Sequence, residues 1–151
     1  MEWRIKQFRD LTTNELYDFL KLRIDVFVVE QTCYYPDLDE LDRNPETIHL
    51  LGYQEGILVA YLRILPKGTT YQEYVSIGRV IIAESSRGKG LSHELVKLGI
   101  QVCEDKMKES TIKISAQQHL AELYTQHGFE QVTEMYLEDG IPHIGMIKHE
   151  E

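Results

Sequence analysis

The sequence predicts an α/β or α+β domain in which helices flank one mixed sheet. Segments in which apolar and polar residues alternate, or which are rich in β-branched residues, predict strands. Segments in which apolar residues recur every three or four positions predict helices. These segments follow one another in the order β-α-β-β-β-α-β-α-β-β. Because the chain has 151 residues and no repeat or linker, residues 1–151 are expected to form a single domain.

The N-terminal part of the chain predicts a strand, a helix and a long loop. Apolar and polar residues alternate over residues 3–8. Thr12 is a typical N-cap residue ahead of an acidic first turn, and apolar residues continue at helical spacing to about Val29. Residues 33–45 are acidic, hold two prolines and have no periodicity. They predict a loop with room for one helical turn.

The middle of the chain predicts a hairpin, a buried strand and a second helix. Residues 48–54 and 57–65 form the arms of the hairpin, with Glu55 and Gly56 at its turn. Residues 74–83 are rich in β-branched side chains, which is typical of a buried strand. Apolar residues at helical spacing then predict a helix over residues 91–108.

The C-terminal part predicts two strands around a short helix, followed by a last strand. Residues 112–115 and 132–136 are the two strands, and residues 119–127 form the helix, which Gly128 ends. A turn at residues 140–142 leads into a strand over residues 143–148.

Composition favours a soluble protein whose partners are not nucleic acids. The chain has 16 Lys and Arg against 25 Asp and Glu, a formal net charge of -9. Nonspecific nucleic-acid affinity depends on clustered cations, so this balance disfavours such a partner, whereas a cationic amine is attracted. The spacing of His, Cys and carboxylate residues suggests no metal site. A homodimer is the default expectation for the assembly.

The sequence also predicts a cytoplasmic protein without a membrane association. Cys33 and Cys103 are the only cysteines, and two lone thiols are more typical of a reducing compartment than of a disulfide framework. The N-terminus has no uninterrupted apolar stretch of the kind found in a signal peptide, and no apolar run reaches the length of a membrane-spanning helix.

A glycine-bearing turn between the predicted buried strand and the second helix is the most informative segment. Gly88 and Gly90 let the backbone approach a ligand closely, and the unpaired N–H groups at the helix start attract anions. Such a turn is typical of a pyrophosphate cradle. It also fits a plain connection in which glycine only relieves backbone strain, and the spacing alone does not decide between the two.

Two motifs resemble those of the GNAT acetyltransferases. Arg87-x-x-Gly90-x-Ser92 is similar to the signature Arg/Gln-x-x-Gly-x-Gly/Ala, with Ser92 where the family prefers Gly or Ala. Residues 120–129 resemble a second signature, Leu-Tyr-x-x-x-Gly-Phe. Longer strings, over residues 22–31, 77–80 and 138–146, resemble the ElaA-type subgroup, and the similarity extends over nearly the whole chain.

The resemblance implies a GNAT fold and acetyl-coenzyme A as the acetyl donor. The fold would be a mostly antiparallel sheet of about seven strands, splayed at the centre and flanked by helices. The residues that it implies for donor binding are the backbone of one strand for the pantetheine arm, the amides of the glycine turn for the pyrophosphate, and an amide side chain where many relatives have Asn. In this sequence they are Val80, Ile81 and Ile82; Arg87, Gly88, Lys89, Gly90, Leu91 and Ser92; and Gln117.

The resemblance also implies the catalytic groups. Tyr124 matches the phenol that protonates the departing thiolate; without the motif, packing on a helix face would be the expected role of this tyrosine, and the motif favours the acid. The base that removes a proton from the ammonium is Glu30, His119 or His143, and the sequence does not choose among them. We expect the acceptor to bind between the end of the first helix and the final hairpin, near Glu30 and His143.

Three arginines lie within apolar patterns and are expected to be buried. Arg23, Arg63 and Arg79 either bind an acidic acceptor together or close structural ion pairs with Glu30, Asp25 or another carboxylate.

Three functions remain open from the sequence. They are an N-acetyltransferase that acts on a primary amine of a small molecule or peptide, a noncatalytic acetyl-coenzyme A sensor, and a transferase for another donor such as succinyl-coenzyme A.

Overall fold

Eight strands and three α-helices make up the fold in the computed structural model, which describes residues 1–149. The strands are β1 Glu2–Gln7, β2 Ile48–Gln54, β3 Ile57–Leu65, β4 Ser76–Ile82, β5 Ile112–Gln117, β6 Phe129–Gln131, β7 Tyr136–Glu138 and β8 Ile141–Lys148. The α-helices are α1 Thr13–Arg23, α2 Leu91–Lys106 and α3 Ala121–Gln126. Of the helices in this part of the chain, none is long and apolar enough to cross a lipid bilayer.

The strands form two antiparallel sheets that touch at one point. The first sheet has the order β1-β2-β3-β4; in the second, β8 pairs with β5, β6 and β7. Between Val75 and Ile112 there is a single parallel bridge, and the N–H of Lys113 donates to the carbonyl of Val75 at 3.0 Å. The predicted splayed sheet is confirmed in this form, with eight strands instead of about seven. Beyond the bridge, β4 and β5 separate and leave an opening.

The hairpin and the two long helices follow the sequence pattern closely. Glu55 and Gly56 both have positive φ, at 50° and 79°, as a two-residue hairpin turn requires. Helix α1 packs on one face of the first sheet through Phe19, which lies in a buried cluster with Tyr61 and Ile81. Helix α2 covers the opposite face, which belongs to the main core.

Helix α1 begins as predicted but changes form before its predicted end. Thr12 and Glu15 make a capping box, in which the Thr12 hydroxyl accepts from the Glu15 N–H at 3.0 Å. The α-helix ends at Arg23, and Ile24–Glu30 continue as a π-helical segment. Val26 and Phe27 still pack against the α1 cluster, so the apolar spacing alone did not reveal the wider turn.

The predicted strand over residues 132–136 is wrong. The chain forms β6 before this segment and β7 at its end, with an irregular stretch between them. The hydroxyl of Thr133 accepts the N–H of Gly145 at 2.8 Å, a position that a main-chain carbonyl would occupy in a continuous ladder. Other predicted elements differ from the structure only at their ends. The strand predicted over 74–83 is observed as Ser76–Ile82, and the strand predicted over 112–115 extends to Gln117. The helix predicted over 91–108 ends at Lys106, and the helix predicted over 119–127 is Ala121–Gln126 behind a short 3₁₀ turn.

Candidate active site

The opening between the two sheets forms a cleft of about 630 Å³ along strand β4. Strand β4 is the edge of the first sheet, and its outer side has no partner strand within residues 1–149 beyond the bridge at Val75. Val80, Ile81 and Ile82 line the cleft. Their backbone polar groups on the outer side are therefore available to an extended ligand that adds to the edge.

The glycine turn stands at one end of this cleft. Gly88 and Gly90 have φ of 79° and 77°, in the left-handed region that glycine tolerates. Gly90 is the N-cap of α2, and no side chain caps the helix there, so its first N–H groups are free to bind an anion. The cleft lining includes Arg87, Gly88, Gly90, Leu91 and Ser92, whereas Lys89 is exposed and lies outside it.

An ion pair between Arg87 and Glu30 closes part of the cleft. The guanidinium donates to both carboxylate oxygens, at 2.6 and 2.9 Å, and its Nε donates to the carbonyl of Ile82 at 3.0 Å. The hydrogen bond from Arg87 lowers the pKa of the Glu30 carboxyl below its usual range. Glu30 is thus an anion held on the guanidinium of Arg87, whose main-chain amide was expected to bind the pyrophosphate.

Strand β4 carries a β-bulge beside the cleft. Tyr61 pairs with Ile81 and Arg63 with Gly78, so Arg79 and Val80 together face one residue of β3. Arg79 has a φ of 52°, an unusual conformation for a residue with a side chain. Bulges interrupt the ladder and leave a residue unpaired, which here places free main-chain groups at the mouth of the cleft.

A second cavity, of about 390 Å³, adjoins the cleft. Five residues line both spaces and mark their junction: Phe27, Gln31, Val80, Gln117 and Leu120. The side-chain amide of Gln117 donates to Oε1 of Gln31 at 3.2 Å across this junction. A ligand that lies along β4 therefore reaches the second cavity with one end.

Tyr124 lines the second cavity from α3. Its side chain is 6% exposed and packs edge to face against Phe129. Burial raises the pKa of the phenol well above its usual range, and no charged neighbour opposes this. The hydroxyl is therefore a protonated group held at the cavity wall.

His143 lies in the same cavity within a small polar cluster. Its Nδ1 donates to the carbonyl of Ile141 at 2.7 Å, which leaves Nε2 as the acceptor, and Nε2 lies 3.4 Å from Oε2 of Glu138. The hydroxyl of Ser115 donates to the other oxygen of Glu138 at 3.1 Å and also bonds the phenol of Tyr136. A proton taken up by Nε2 would thus lie beside a carboxylate that Ser115 orients.

Arg23 and Arg63 are buried and Arg79 is partly buried, and all three form structural ion pairs with carboxylates other than Glu30 and Asp25. Arg23 bonds Asp37 and Asp42, at 2.8 and 2.7 Å. Arg63 bonds Asp39 and Asp42, and Arg79 bonds Asp37. These aspartates belong to the acidic loop, which folds back onto the sheet and forms the predicted single helical turn at Glu40–Arg43.

From the sequence we expected the acceptor to bind near both Glu30 and His143. The structure places these two residues in different cavities. Glu30 and His119 line the cleft, whereas His143 lines the second cavity with Tyr124. From the sequence we did not identify the polar cluster that Ser115, Tyr136 and Glu138 form beside His143. The signal was weak, because Ser115 lies on β5, which comes beside the β7–β8 hairpin only through pairing with the distant strand β8.

Relatives of known sequence match nearly the whole chain. The family model of the acetyltransferase (GNAT) domain matches residues 19–150. Protein ElaA of Escherichia coli K12 is 42% identical over 148 residues, which cover 98% of this chain and 96% of that protein. A UPF0039 protein of Mycobacterium tuberculosis H37Rv is 36% identical over 93% of this chain and 88% of its own length.

Solved structures agree with these matches. An acyl-CoA N-acyltransferase of Pseudomonas aeruginosa superposes with a TM-score of 0.92 at 44% identity, covering 99% of this chain and 100% of that one. The crystal structure of Escherichia coli ElaA gives 0.92 at 40% identity, with the same coverage. A coenzyme A-dependent acyl-homoserine lactone synthase, at 17% identity and a TM-score of 0.72, covers 89% of this chain and 76% of that one and shares the fold.

Proposed function

The chain belongs to the acetyltransferase (GNAT) family, and we propose that it transfers the acetyl group of acetyl-coenzyme A directly to a primary amine in a ternary complex. As a member of this family it is an acyltransferase that uses an acyl-coenzyme A donor. The proposal of acetyl transfer to an amine rests on the junction of the two cavities. Val80 and Gln117 line both cavities, and Tyr124 lies in the wall of the second.

The cleft supports donor binding by main-chain groups. The free edge of β4 at Val80, Ile81 and Ile82 would bond the amides of the pantetheine arm as an added strand does. The uncapped N–H groups from Gly88 to Ser92 would bind the pyrophosphate, with Arg87 as the nearby cation. Gln117 would bond the arm where it enters the second cavity. The free groups at the Arg79–Val80 bulge would then lie near the thioester carbonyl.

The second cavity supports the chemistry of the acyl transfer. Nε2 of His143 would take a proton from the ammonium of the acceptor, and Glu138 would stabilise the imidazolium that forms. The neutral amine nitrogen then bonds the acetyl carbon as the carbon–sulfur bond breaks, and the extra proton on the product nitrogen passes to the Tyr124 phenolate that remains once the thiolate is protonated. Tyr124 would protonate the departing thiolate, because its raised pKa keeps the phenol protonated at neutral pH. Glu30 is less suited to the base role, since its carboxyl pKa is lowered by Arg87.

A free-thiol release assay with acetyl-coenzyme A and a panel of amines tests the function. We expect turnover with at least one amine, and a large loss of kcat in His143→Gln at unchanged acetyl-coenzyme A affinity. If the protein binds acetyl-coenzyme A in calorimetry but transfers the acetyl group to no amine or peptide, it is a binding module and the proposal fails. The same assay with succinyl-coenzyme A tests the choice of donor.

The remaining expectations stay part of the proposal. The two cysteines are free thiols, Cys33 partly exposed and Cys103 buried, which supports a cytoplasmic enzyme of a reducing compartment. The main core includes residues of both sheets and of α2, which supports one domain over the described residues. A homodimer is the expected assembly, and sedimentation measures it directly.

A further inference from the structure

The charges around the second cavity are unevenly balanced. Its lining includes two arginines, Arg63 and Arg79, and both are already engaged by aspartates. Arg63 donates to Asp39 at 2.7 and 2.9 Å and to Asp42 at 2.9 Å, and its Nε is buried without a partner within residues 1–149. A carboxylate on a substrate would have to displace one of these aspartates to pair with the guanidinium.

Arg79 is held in the same way. Its Nε donates to the side chain of Asp37 at 2.9 Å, and a terminal nitrogen donates to the main-chain carbonyl of Asp37 at 2.9 Å. Together with Arg23, the three arginines face three aspartates, so the network as a whole carries no net charge. The arginines therefore do not make this cavity attractive to anions.

Within residues 1–149, no lysine or arginine forms an ion pair with the carboxylates at the other side of the cavity. The side chain of Glu138 is 51% exposed, and its polar neighbours are the hydroxyl of Ser115 and the imidazole of His143. Asp139 follows it in the turn and also lines the cavity, and no lysine is in the lining within the described part of the chain. These two carboxylates attract an ammonium and repel a carboxylate.

One part of the remaining wall is apolar. The side chains that provide this surface come from both sheets and from the segments beside them, and they are Phe27, Leu41, Leu65, Ile114 and Ile141. Such a wall fits an alkyl or aryl chain better than a second polar group, because an unpaired polar group loses its hydration on burial.

From the charges and the apolar wall together, we propose that the acceptor is a primary amine with an apolar chain and no carboxylate. This inference rests on the proposed function and narrows it: α-amino acids and acidic peptides are rejected, and the corresponding decarboxylated amines are used. Rejection arises because the α-carboxylate would lie close to Glu138 while Arg63 and Arg79 stay occupied by aspartates.

Matched pairs of acceptors that differ only by the carboxylate test the proposal. We expect kcat/KM for tyramine to exceed that for tyrosine, and that for isoamylamine to exceed that for leucine, by about 10–100-fold. One like-charge contact near a protein surface has this effect. Equal or better use of the amino acids overturns the proposal while leaving the acetyltransferase function intact. Absence of turnover with every amine removes both.

One variant and its control test whether the preference for amines over amino acids depends on the pairing of Arg63 with Asp39. Asp39→Ala removes the partner that bonds both terminal nitrogens of Arg63, so the amine-to-amino-acid ratio should fall several-fold as the guanidinium becomes free for a carboxylate. Glu40→Ala is the matched control, because Glu40 is the next residue, in the 3₁₀ turn that Asp39 caps, and its side chain is 83% exposed and pairs with Arg43. An unchanged ratio in a folded Asp39→Ala protein would contradict the assigned role of the occupied arginines.

Discussion

Asp37 accepts two hydrogen bonds from Arg79, one at its carboxylate and one at its main-chain carbonyl, both at 2.9 Å. Arg23 bonds the same carboxylate and the same carbonyl from another direction, both at 2.8 Å. Asp37 is 2% exposed, and Arg79 is the residue in the left-handed conformation at the β4 bulge. The buried aspartate therefore connects the acidic loop, which lines the second cavity, to the strand that borders the cleft.

The first prediction concerns this connection. Arg79→Lys keeps the charge but cannot make both hydrogen bonds to Asp37, so the β4 bulge should shift from its position. We expect kcat to fall by up to about 100-fold, which is the effect of a small misplacement of groups at a reacting centre. Acetyl-coenzyme A affinity, measured by calorimetry, should change little. Arg43→Lys, in an exposed pair with Glu40, is the control. Wild-type kcat in a folded Arg79→Lys protein would show that the bulge does not need this clamp.

The second prediction concerns the leaving group. Tyr124→Phe retains the ring that packs on Phe129 and removes only the hydroxyl, so stability and donor affinity should stay near wild type. Because general acid catalysis typically contributes about 10²–10⁴-fold, kcat should fall on that scale. Steady-state rates over a range of pH measure the loss. Full activity at every pH would remove Tyr124 from the mechanism.

The third prediction concerns the ion pair at the cleft. Glu30→Gln removes the carboxylate that competes with donor phosphates for Arg87, so acetyl-coenzyme A should bind up to about fivefold more tightly, the scale of an exposed ion pair. Added salt should reduce the difference between variant and wild type. Glu84→Gln is the control, because the Glu84 carboxylate is near Arg87 but the only hydrogen bond between the two in the described residues joins the Arg87 N–H to the Glu84 main-chain carbonyl, which the substitution keeps. A large loss of kcat with unchanged donor affinity would instead identify Glu30 as the base.

The fourth prediction concerns the glycine turn. Gly90→Val places a branched side chain where the donor phosphates would approach, so acetyl-coenzyme A affinity should fall strongly. The substitution also strains a residue whose φ is 77°, and Gly68→Val separates the two effects. Gly68 has a φ of 83° and equally open surroundings, but it lies outside the cleft. Equal donor affinities in the two variants would mean that the turn is only structural.

The fifth prediction concerns acid stability. Burial raises the pKa values of Asp39 and Asp42, but hydrogen bonds and charge from Arg23 and Arg63 lower them more, so both carboxyls stay below their usual range. A carboxyl with a lowered folded-state pKa contributes stability above its unfolded value, about 4, and that contribution is lost as the pH falls through the folded value. Urea unfolding between pH 7 and pH 2 should show the loss below about pH 4.

Asp42→Asn tests the source of that dependence. The variant should lose about 3–5 kcal/mol of unfolding free energy at pH 7, because two buried arginines lose a charged partner. Its stability should then depend less on pH below 4 than that of the wild type. An unchanged slope would place the acid-sensitive groups elsewhere.

Local pattern determined most of the elements and the donor turn. The capping box at Thr12, the Glu55–Gly56 hairpin and the left-handed glycines before α2 all depend on residues a few positions apart, so the sequence contains their full cause. The same holds for the motifs around Arg87 and Tyr124. The local pattern also predicted a strand over residues 132–136 that does not form. There the Thr133 side chain accepts a hydrogen bond from the N–H of Gly145 in β8, a contact that the local pattern does not contain.

The tertiary structure alone decided which charges meet. From the sequence, Arg23, Arg63 and Arg79 could have formed an anion site, because a buried guanidinium only requires some carboxylate. The fold brings the acidic loop back onto the sheet and supplies Asp37, Asp39 and Asp42, from 14 to 42 positions away in the pairs that form. It also separates Glu30 from His143. Such pairings depend on contacts between segments that are far apart in the chain, and a local sequence pattern does not contain them.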